Sequence, residues 1–218
     1  MFFITIIMLY NIFRVFLWLM YVCFFRRVYY LHFNRIPKKE PLIFISNHSN
    51  GFMDPILIAA MQARPVYFWA RAGEFPNNFK GWLLLKLHGM PIYRQQEGKD
   101  QMHKNEITFK KTRDLLHKGG NAVFIAPEGR CKIQKRLHPF KTGGARLAFQ
   151  MMEENNWSVD VKIQPSGVNY TYHDVFRSEV YIHLGPTISV ASYRSLYLED
   201  KPRAIKQLTE DMSVDLRK

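Results

Sequence analysis

This sequence contains little cysteine: Cys23 and Cys131 are the only two among its 218 residues. Cys23 lies in an apolar N-terminal segment, so we expect no structural disulfide, and a reducing compartment is the simpler interpretation. No cysteine–histidine spacing resembles a zinc site, and the sequence therefore predicts no metal ligands.

Two common catalytic and binding motifs are also missing. No Gly-x-Ser-x-Gly turn presents a serine nucleophile, and there is no glycine-rich phosphate loop of the nucleotide-binding type. If a histidine of this chain acts as a base, we expect it to activate a hydroxyl group that belongs to a substrate. Phosphate recognition would have to come from arginine and lysine side chains.

Acidic residues are few relative to basic ones: 18 Asp and Glu stand against 31 Lys and Arg, for a formal net charge of +13. Such a charge suits a polyanionic partner, which could be nucleic acid, an anionic membrane surface or a phosphorylated small substrate. Composition alone does not separate these classes. Because 47% of the residues are hydrophobic, the composition excludes a disordered chain, and the length suits one sizeable domain.

The first 25 residues are mostly Phe, Ile, Leu, Met, Tyr and Val, with Asn11 and Arg14 as polar interruptions. A membrane-spanning helix needs about 20 mostly apolar residues, and an arginine near its centre costs about 2.5–3.5 kcal/mol. The segment either spans the membrane or lies at its interface, and the alternative is a buried helix of a soluble domain. The basic residues after it favour the cytoplasmic side for the following chain: Arg26, Arg27, Arg35, Lys38 and Lys39. We predict a membrane-anchoring segment over residues 1–35 and a second domain over residues 36–218.

In the second domain, short apolar runs alternate with helical segments, which predicts an α/β fold with a mostly parallel central sheet flanked by helices. The predicted strands are residues 41–46, 65–70, a short strand within 89–94, 122–126, 159–168, 179–184 and 187–190. The predicted helices are residues 55–61, 75–88, 102–117, 145–153 and the tail from 201. The helix over 75–88 is strongly apolar, and it belongs either to the core or to a second membrane-facing surface.

His48 and Asp54 lie between the first predicted strand and the following helix. Histidine is the usual side chain for moving a proton near neutral pH, and a carboxylate on its second ring nitrogen fixes the tautomer. Six residues along a regular helix place two side chains about 240° apart, so the pair can meet only if Ser49-Asn50-Gly51 forms a turn. In the alternative interpretation, His48 is a loop histidine and Asp54 only caps the helix that starts at Pro55.

Three further residues are basic and follow a turn or a strand end, where they could contact an anion. Arg94, Arg130 and Lys141 could bind phosphate, although each could equally be a solvated surface charge. Glu128 precedes Gly129, which lets the backbone approach a neighbour closely, and it could orient Arg94 or a substrate hydroxyl.

Taken together and in this order, these residues resemble the motifs of the glycerolipid acyltransferase family, which includes the PlsC-type 1-acyl-glycerol-3-phosphate acyltransferases. The resemblance covers roughly residues 36–190 and is carried by Asn47-His48…Asp54, Gly89-x-x-x-x-Arg94, Phe124-Ile125-Ala126-Pro127-Glu128-Gly129-Arg130, Phe140-Lys141-x-Gly143 and Gln164-Pro165. The chain departs from the family in two places. Five residues separate His48 from Asp54, whereas the common pattern has four; the longer spacing is similar to that of some fungal glycerol-phosphate acyltransferases. In addition, Glu128-Gly129-Arg130 is one residue shorter than the usual Glu-Gly-Thr-Arg.

The resemblance implies an O-acyltransferase of phospholipid biosynthesis, with His48 and Asp54 as the catalytic pair. His48 would remove a proton from the acceptor hydroxyl as its oxygen attacks the thioester of acyl-CoA or acyl-carrier protein, and Asp54 would orient His48. The acceptor would be glycerol phosphate or a lysophospholipid, 1-acyl-glycerol-3-phosphate in the first place. The implied substrate-binding residues are Gly89, Arg94, Glu128, Gly129, Arg130 and Lys141.

The resemblance implies no metal and no cofactor other than the acyl donor, and a location on the cytoplasmic face of a membrane whose phospholipid surface is a partner. No nucleic-acid partner is predicted, because the chain has no aromatic–basic RNA-binding pattern and no helix-turn-helix pattern. Two alternatives stay open: a lipid-binding membrane protein without catalysis, and a thioester hydrolase or transacylase that uses the same base.

Overall fold

A computed structural model describes residues 2–51, 53–62, 64–94, 103–129, 131, 136–214 and 216, with backbone only for residues 2–11 and 13. The helices are α1 (Phe2–Phe24), α2 (Met53–Ala60), α3 (Phe79–Lys86), α4 (Asn105–His117), α5 (Gly143–Glu154), α6 (Arg194–Glu199) and α7 (Lys201–Val214). The strands are β1 (Arg27–Leu31), β2 (Leu42–Ser46), β3 (Val66–Arg71), β4 (Gly89–Ile92), β5 (Ala122–Ile125), β6 (Lys162–Tyr170), β7 (Glu179–Leu184) and β8 (Ile188–Ser189).

The strands form one sheet in the order β1-β7-β6-β2-β5-β3-β4, with β8 paired to β6. All neighbours in this order run parallel except β6 and β7, and the added strand β8 is also antiparallel to β6. The predicted α/β fold with a mostly parallel sheet is therefore confirmed.

Helices cover both faces of the sheet, because successive side chains of a strand point to opposite faces. On one face, Ile43 and Ile45 of β2 pack with buried residues of α4, α5 and α7. On the other face, Leu42 and Phe44 of the same strand pack with buried residues of α1, α2 and α3. Every residue of β2 is buried, as the apolar run at this position predicts for a central strand.

The sheet begins inside the segment that the sequence assigns to a membrane anchor. Residues 27–31 form β1, which pairs with β7 from Arg27 opposite Glu179 to Leu31 opposite His183. The end of α1 also joins the core, since Tyr21 and Phe25 are buried against α2 and the sheet. Within the described residues, no helix combines the length and the apolar character needed to cross a membrane.

The prediction that Asp54 caps the N-terminus of a helix is wrong. The helix α2 begins at Met53, so Asp54 lies within its first turn. A capping carboxylate accepts N–H groups two or three residues after itself, whereas the Asp54 carboxylate accepts the N–H of Asn50, four residues before it. The side chain is therefore directed back to the preceding turn, where His48 lies.

The parallel strands place their carboxyl ends at one edge of the sheet. His48 follows β2, Glu128 follows β5 and Arg94 follows β4, so all three lie at that edge. Loops at the carboxyl ends of such strands are the usual place for a ligand site in open α/β sheets.

Candidate active site

The turn after β2 is tied to the neighbouring strand β6. The Asn47 amide makes two hydrogen bonds to the backbone of Val168: its Nδ2 donates to the carbonyl at 2.8 Å, and its Oδ1 accepts the N–H at 2.8 Å. These two hydrogen bonds hold the start of the turn against β6 and fix the point at which the chain turns towards His48.

His48 and Asp54 are in contact, as the sequence predicts. The Nδ1 atom of His48 lies 3.0 Å from Oδ2 of Asp54, which is fully buried, whereas 19% of the His48 side chain is exposed. The same oxygen accepts the Asn50 N–H at 3.0 Å, and the other oxygen, Oδ1, accepts the hydroxyl of Tyr170 at 2.6 Å. Because the carboxylate accepts on both oxygens, Nδ1 of His48 is the donor, and Nε2 is left to accept a proton.

Ser49, Asn50 and Gly51 form a turn between His48 and α2. Gly51 has a φ of +27°, and its N–H donates to the Cys131 sulfur at 3.0 Å. The Asn50 side chain donates to the His173 carbonyl at 2.9 Å. The turn is thus held from two sides, and the extra residue does not separate the pair.

Glu128 supports the backbone of His48. It is buried, and its carboxylate accepts the backbone N–H groups of His48 and His138. Burial raises the pKa of the Glu128 carboxyl group, while these two N–H donors and the two nearby imidazoles act in the opposite direction. The contacts of its carboxylate therefore place Glu128 behind His48.

Gly129 and Lys141 are packed against each other. Gly129 has a φ of +65°, and an added Cβ atom there would lie 2.9 Å from Cε and 3.0 Å from Nζ of Lys141. The Lys141 N–H donates to the Pro127 carbonyl at 2.8 Å, which fixes this residue beside the loop after β5. The positive φ favours glycine at position 129, and the exposed Lys141 side chain crosses the loop where this residue has no Cβ atom.

Arg94 lies close enough to the site for its charge to act there. The pKa of the Cys131 thiol is raised, with burial as the largest cause and the Asp54 and Glu128 charges as smaller ones. The Gly51 N–H and the Arg94 charge act in the opposite direction, so Arg94 is near enough to affect this thiol. Of the other residues predicted for the site, Arg130 lies outside the described residues. Gly89 begins β4, at the end of the strand opposite to the site, where an added Cβ would lie 2.8 Å from the Leu84 carbonyl oxygen.

A polar cavity of about 220 Å³ opens beside His48. Ser49 lines it, and its buried hydroxyl has no hydrogen-bond partner among the described residues. Sequence reasoning missed most of the lining, including Ser49, Arg136, Asn169, Tyr170 and His173. Asn169 and Tyr170 lie at the end of β6, which is adjacent to β2 in the sheet. The linear sequence does not show this adjacency.

A smaller apolar cavity of about 80 Å³ lies on the other side of α2. Its walls come from four elements: Leu17 of α1, Ile56 and Ala59 of α2, Phe68 of β3, and Leu84 of α3. Arg14 also lines it, and its guanidinium donates to the Gln62 carbonyl. No set of three His, Cys, Asp or Glu side chains suited to a metal ion occurs in the part of the chain that the structure describes.

Comparison with known proteins identifies a family. The acyltransferase family model matches residues 9–169, more than half of the chain. Glycerol-3-phosphate O-acyltransferases 1 and 2 of Saccharomyces cerevisiae are each 33% identical, over 102 and 100 residues, or 44% and 45% of this chain. The match spans only 13% of the length of each yeast enzyme.

A solved structure has a similar fold. The crystal structure of PlsC, the 1-acyl-sn-glycerophosphate acyltransferase of Thermotoga maritima, aligns with a TM-score of 0.60 and 17% sequence identity. The alignment covers 93% of this chain and 77% of that one.

Proposed function

The chain belongs to the acyltransferase family of glycerolipid enzymes, and on this premise we propose that it transfers a fatty acyl group from a thioester donor to a hydroxyl of a phosphorylated glycerol, with His48 as general base. The observation that carries the proposal is the His48–Asp54 contact at the mouth of a polar cavity. In the neutral imidazole, a buried carboxylate on Nδ1 fixes the tautomer in which Nε2 can accept a proton, and the exposed part of the ring can reach a substrate.

In this mechanism, Nε2 of His48 takes the proton of the acceptor hydroxyl as its oxygen forms a bond to the thioester carbonyl carbon. The tetrahedral intermediate then collapses, the carbon–sulfur bond breaks, and the proton on His48 passes to the thiolate that leaves. Asp54 faces the imidazolium that exists between these steps. The reaction needs acyl-CoA or acyl-carrier protein as co-substrate and no other cofactor.

We assign the developing oxyanion to the hydroxyl of Ser49. This hydroxyl is buried in the cavity wall next to His48 and has no partner within the described part of the chain. A buried donor without a partner costs folding free energy, and a substrate oxygen would satisfy it.

The phosphate of the acceptor is assigned to the cationic side chains at the same sheet edge. Arg94 acts on the electrostatics of Cys131, and Lys141 crosses the loop at Gly129, so both lie next to the His48 turn. Arg130, which the family resemblance implies, belongs to the same proposal.

Two acceptors fit the similar proteins. The yeast relatives are named for glycerol 3-phosphate, and the structural neighbour is named for 1-acyl-glycerophosphate. Both share a phosphate and a free glycerol hydroxyl, and we propose that the acceptor of this chain belongs to that class.

The proposal is tested by incubating the protein with a labelled acyl donor and each acceptor, followed by mass analysis of the lipids. We expect new glycerolipid from wild type and a loss of at least about 10³-fold in His48→Ala with unchanged folding. The control is His103→Ala, an exposed histidine at the start of the α4 region. Near-full activity in His48→Ala refutes the base assignment, and free fatty acid without new lipid identifies a hydrolase.

We also propose that the chain binds the phospholipid surface from which its acceptor comes, on the cytoplasmic face. The helices α1 and α3 pack on the same face of the sheet and both present large apolar side chains to solvent. On α3 these are Phe79, Trp82 and Leu85, with Phe79 exposed by 73%. Lys86 lies over the Trp82 ring at 5.9 Å, and aromatic rings beside lysines are typical of membrane interfaces.

The positive charge of the chain favours an anionic bilayer over a second copy of the chain as the partner of this surface. We expect sedimentation with vesicles that contain phosphatidylglycerol, and clearly weaker sedimentation of the Phe79→Ser, Trp82→Ser double variant. The control is Ile107→Ser, an equally exposed residue on α4 at the opposite face. The assignment of α3 to the membrane is refuted if the double variant binds vesicles as well as wild type. It is also refuted if wild type and the control form a dimer and the double variant does not.

A further inference from the structure

Tyr170 contacts the carboxylate of the proposed catalytic pair from the end of β6, beyond the Gln164-Pro165 motif of the same strand. It is the last residue of β6, it is buried, and its hydroxyl donates to Oδ1 of Asp54 at 2.6 Å. The other oxygen of the same carboxylate faces His48. The two oxygens of Asp54 are thus divided between Tyr170 on one side and the imidazole on the other.

The ring of Tyr170 is itself fixed by aromatic packing. Its centroid lies 5.9 Å from that of Phe25 and 5.2 Å from that of His173. Phe25 stacks on Tyr21 at 5.8 Å, and the Tyr21 hydroxyl donates to the Met53 carbonyl at 3.3 Å. The end of α1 therefore holds both the tyrosine and the backbone beside Asp54.

Tyr170 acts as a hydrogen-bond donor in this site throughout the physiological pH range. Burial raises the pKa of its hydroxyl well above the ordinary value of 10, and the Asp54 charge raises it further. A hydroxyl that keeps its proton beside a buried carboxylate can only donate to it.

We infer that Tyr170 is a positioning residue for the proposed reaction: its hydroxyl fixes the rotation of the Asp54 carboxylate and limits how strongly Asp54 stabilises the His48 imidazolium. This inference rests on the proposed function. An aspartate that is not held on Oδ1 can rotate about its last torsion, and the in-plane contact of Oδ2 with Nδ1 is then lost for part of the time. The donated hydrogen bond also withdraws negative charge from the carboxylate, and it does so most when the imidazole is neutral.

Other titratable and charged groups surround the pair, and they include Arg136 in the cavity wall and His138 beside Glu128. Glu128 follows β5, Cys131 contacts the turn at Gly51, and His173 follows β6. Tyr21 approaches from α1, and Arg94 acts through its charge on Cys131. Replacing Tyr170 by phenylalanine alters none of these groups, so a change in pH dependence would report the lost hydroxyl.

The test compares Tyr170→Phe with Tyr193→Phe, in which a tyrosine packed on the opposite face of the sheet loses a hydroxyl that donates to Oδ2 of Asp211 at 2.6 Å. For Tyr170→Phe we expect kcat to fall by about tenfold and KM for donor and acceptor to stay within about twofold. We also expect the acid limb of the pH–rate profile to move to higher pH by about 0.5–1 unit, because the unshielded carboxylate attracts a proton on His48 more strongly. Tyr193→Phe should leave the acid limb in place.

A second variant keeps the test decisive if Tyr170→Phe is unstable. Fluorotyrosine placed at position 170 keeps the shape of the side chain and makes the hydroxyl a stronger donor, so the acid limb should move to lower pH. Histidine NMR without substrate follows the same change at His48 independently of turnover. The inference is refuted if the acid limb and the His48 titration both stay within about 0.1 pH unit of wild type in both variants. Such a shift corresponds to only about 0.1 kcal/mol.

The two proposals fail in different ways. If His48→Ala retains activity, the base assignment is wrong whatever Tyr170 does. If His48→Ala is inactive and both Tyr170 variants keep the wild-type rate and acid limb, the reaction stands and only the role of Tyr170 falls.

Discussion

Asp54→Asn is the variant for which the structure gives the clearest magnitude. The substitution keeps the shape of the side chain: an amide oxygen at the Oδ2 position can still accept from His48 and Asn50, and the amide nitrogen can donate to the Tyr170 hydroxyl. We therefore expect the variant to fold. What it loses is the negative charge that faces the imidazolium during the reaction.

The size of this loss follows from Coulomb's law. Two unit charges about 4 Å apart attract each other by about 4 kcal/mol at an effective dielectric constant of about 20, and each 1.36 kcal/mol corresponds to roughly tenfold in rate. A flip of the amide would in addition place NH₂ against Nδ1 and hold His48 in the wrong tautomer. We expect kcat to fall by about 10³–10⁴-fold.

The assay is acyl transfer under saturating donor and acceptor, with His48→Ala as the floor and Asp114→Asn as the control. Asp114 is an exposed residue of α4, and its loss should change the rate by less than about twofold. An Asp54→Asn enzyme that keeps more than about a tenth of the wild-type kcat would show that no imidazolium forms beside Asp54, and the mechanism would be wrong.

Three further outcomes are expected. Gly129→Ala should lose about 1–3 kcal/mol of stability and raise KM for the phosphorylated acceptor, because the new Cβ displaces Lys141. The control Gly120→Ala has a similar φ of +68° and open space around it, so it should lose stability without the change in KM. Equal KM values in both variants would contradict this prediction. Ser49→Ala should lower kcat/KM by about 10–100-fold without lowering the melting temperature, since its hydroxyl has no partner within the described residues, whereas an unchanged rate would remove it from the mechanism. Burial lowers the pKa of His88 from 6.5 to about 4, so the unfolded chain binds a proton that the folded chain does not between these pH values. The free energy of unfolding should therefore fall as the pH decreases from 6.5 to 4, by at most about 2 kcal/mol at pH 5, and urea unfolding of His88→Asn at pH 7 and pH 5 should show a smaller fall than wild type.

The elements that the sequence predicted well are those with local signals. Residues 179–184 form β7 with the predicted bounds, and the run around Phe44 forms a fully buried central strand. The turn residues Asn50 and Gly51 correctly indicated that His48 and Asp54 can meet. In each case, the pattern that stabilises the element lies within a few neighbouring residues.

The parts that were missed depend on residues distant in sequence. The sequence does not predict the strand β1, because Arg26 and Arg27 after an apolar run indicate the basic flank of a membrane anchor. The side chains of β1 are mostly exposed, so no buried apolar pattern marks the strand. It forms because β7, about 150 residues later, offers an edge to pair with. The hydroxyl of Tyr170 is 116 positions from Asp54, and no periodicity links the two. The substrate-binding roles of Arg94, Glu128 and Lys141 stay predictions.

The wide spacing between His48 and Asp54 is tolerated because the extra residue is accommodated by contacts outside the pair. The turn is fastened to β6 through Asn47, to the His173 carbonyl through the Asn50 amide and to the Cys131 sulfur through the Gly51 N–H. Asp54 closes the same turn by accepting the Asn50 N–H on the oxygen that faces His48. A longer loop costs little entropy when its ends are already fixed, since doubling the length of a flexible loop costs only about 0.6 kcal/mol. The distance between Nδ1 of His48 and the Asp54 carboxylate is therefore set by β2, β6 and α2, which fix the two ends of the turn.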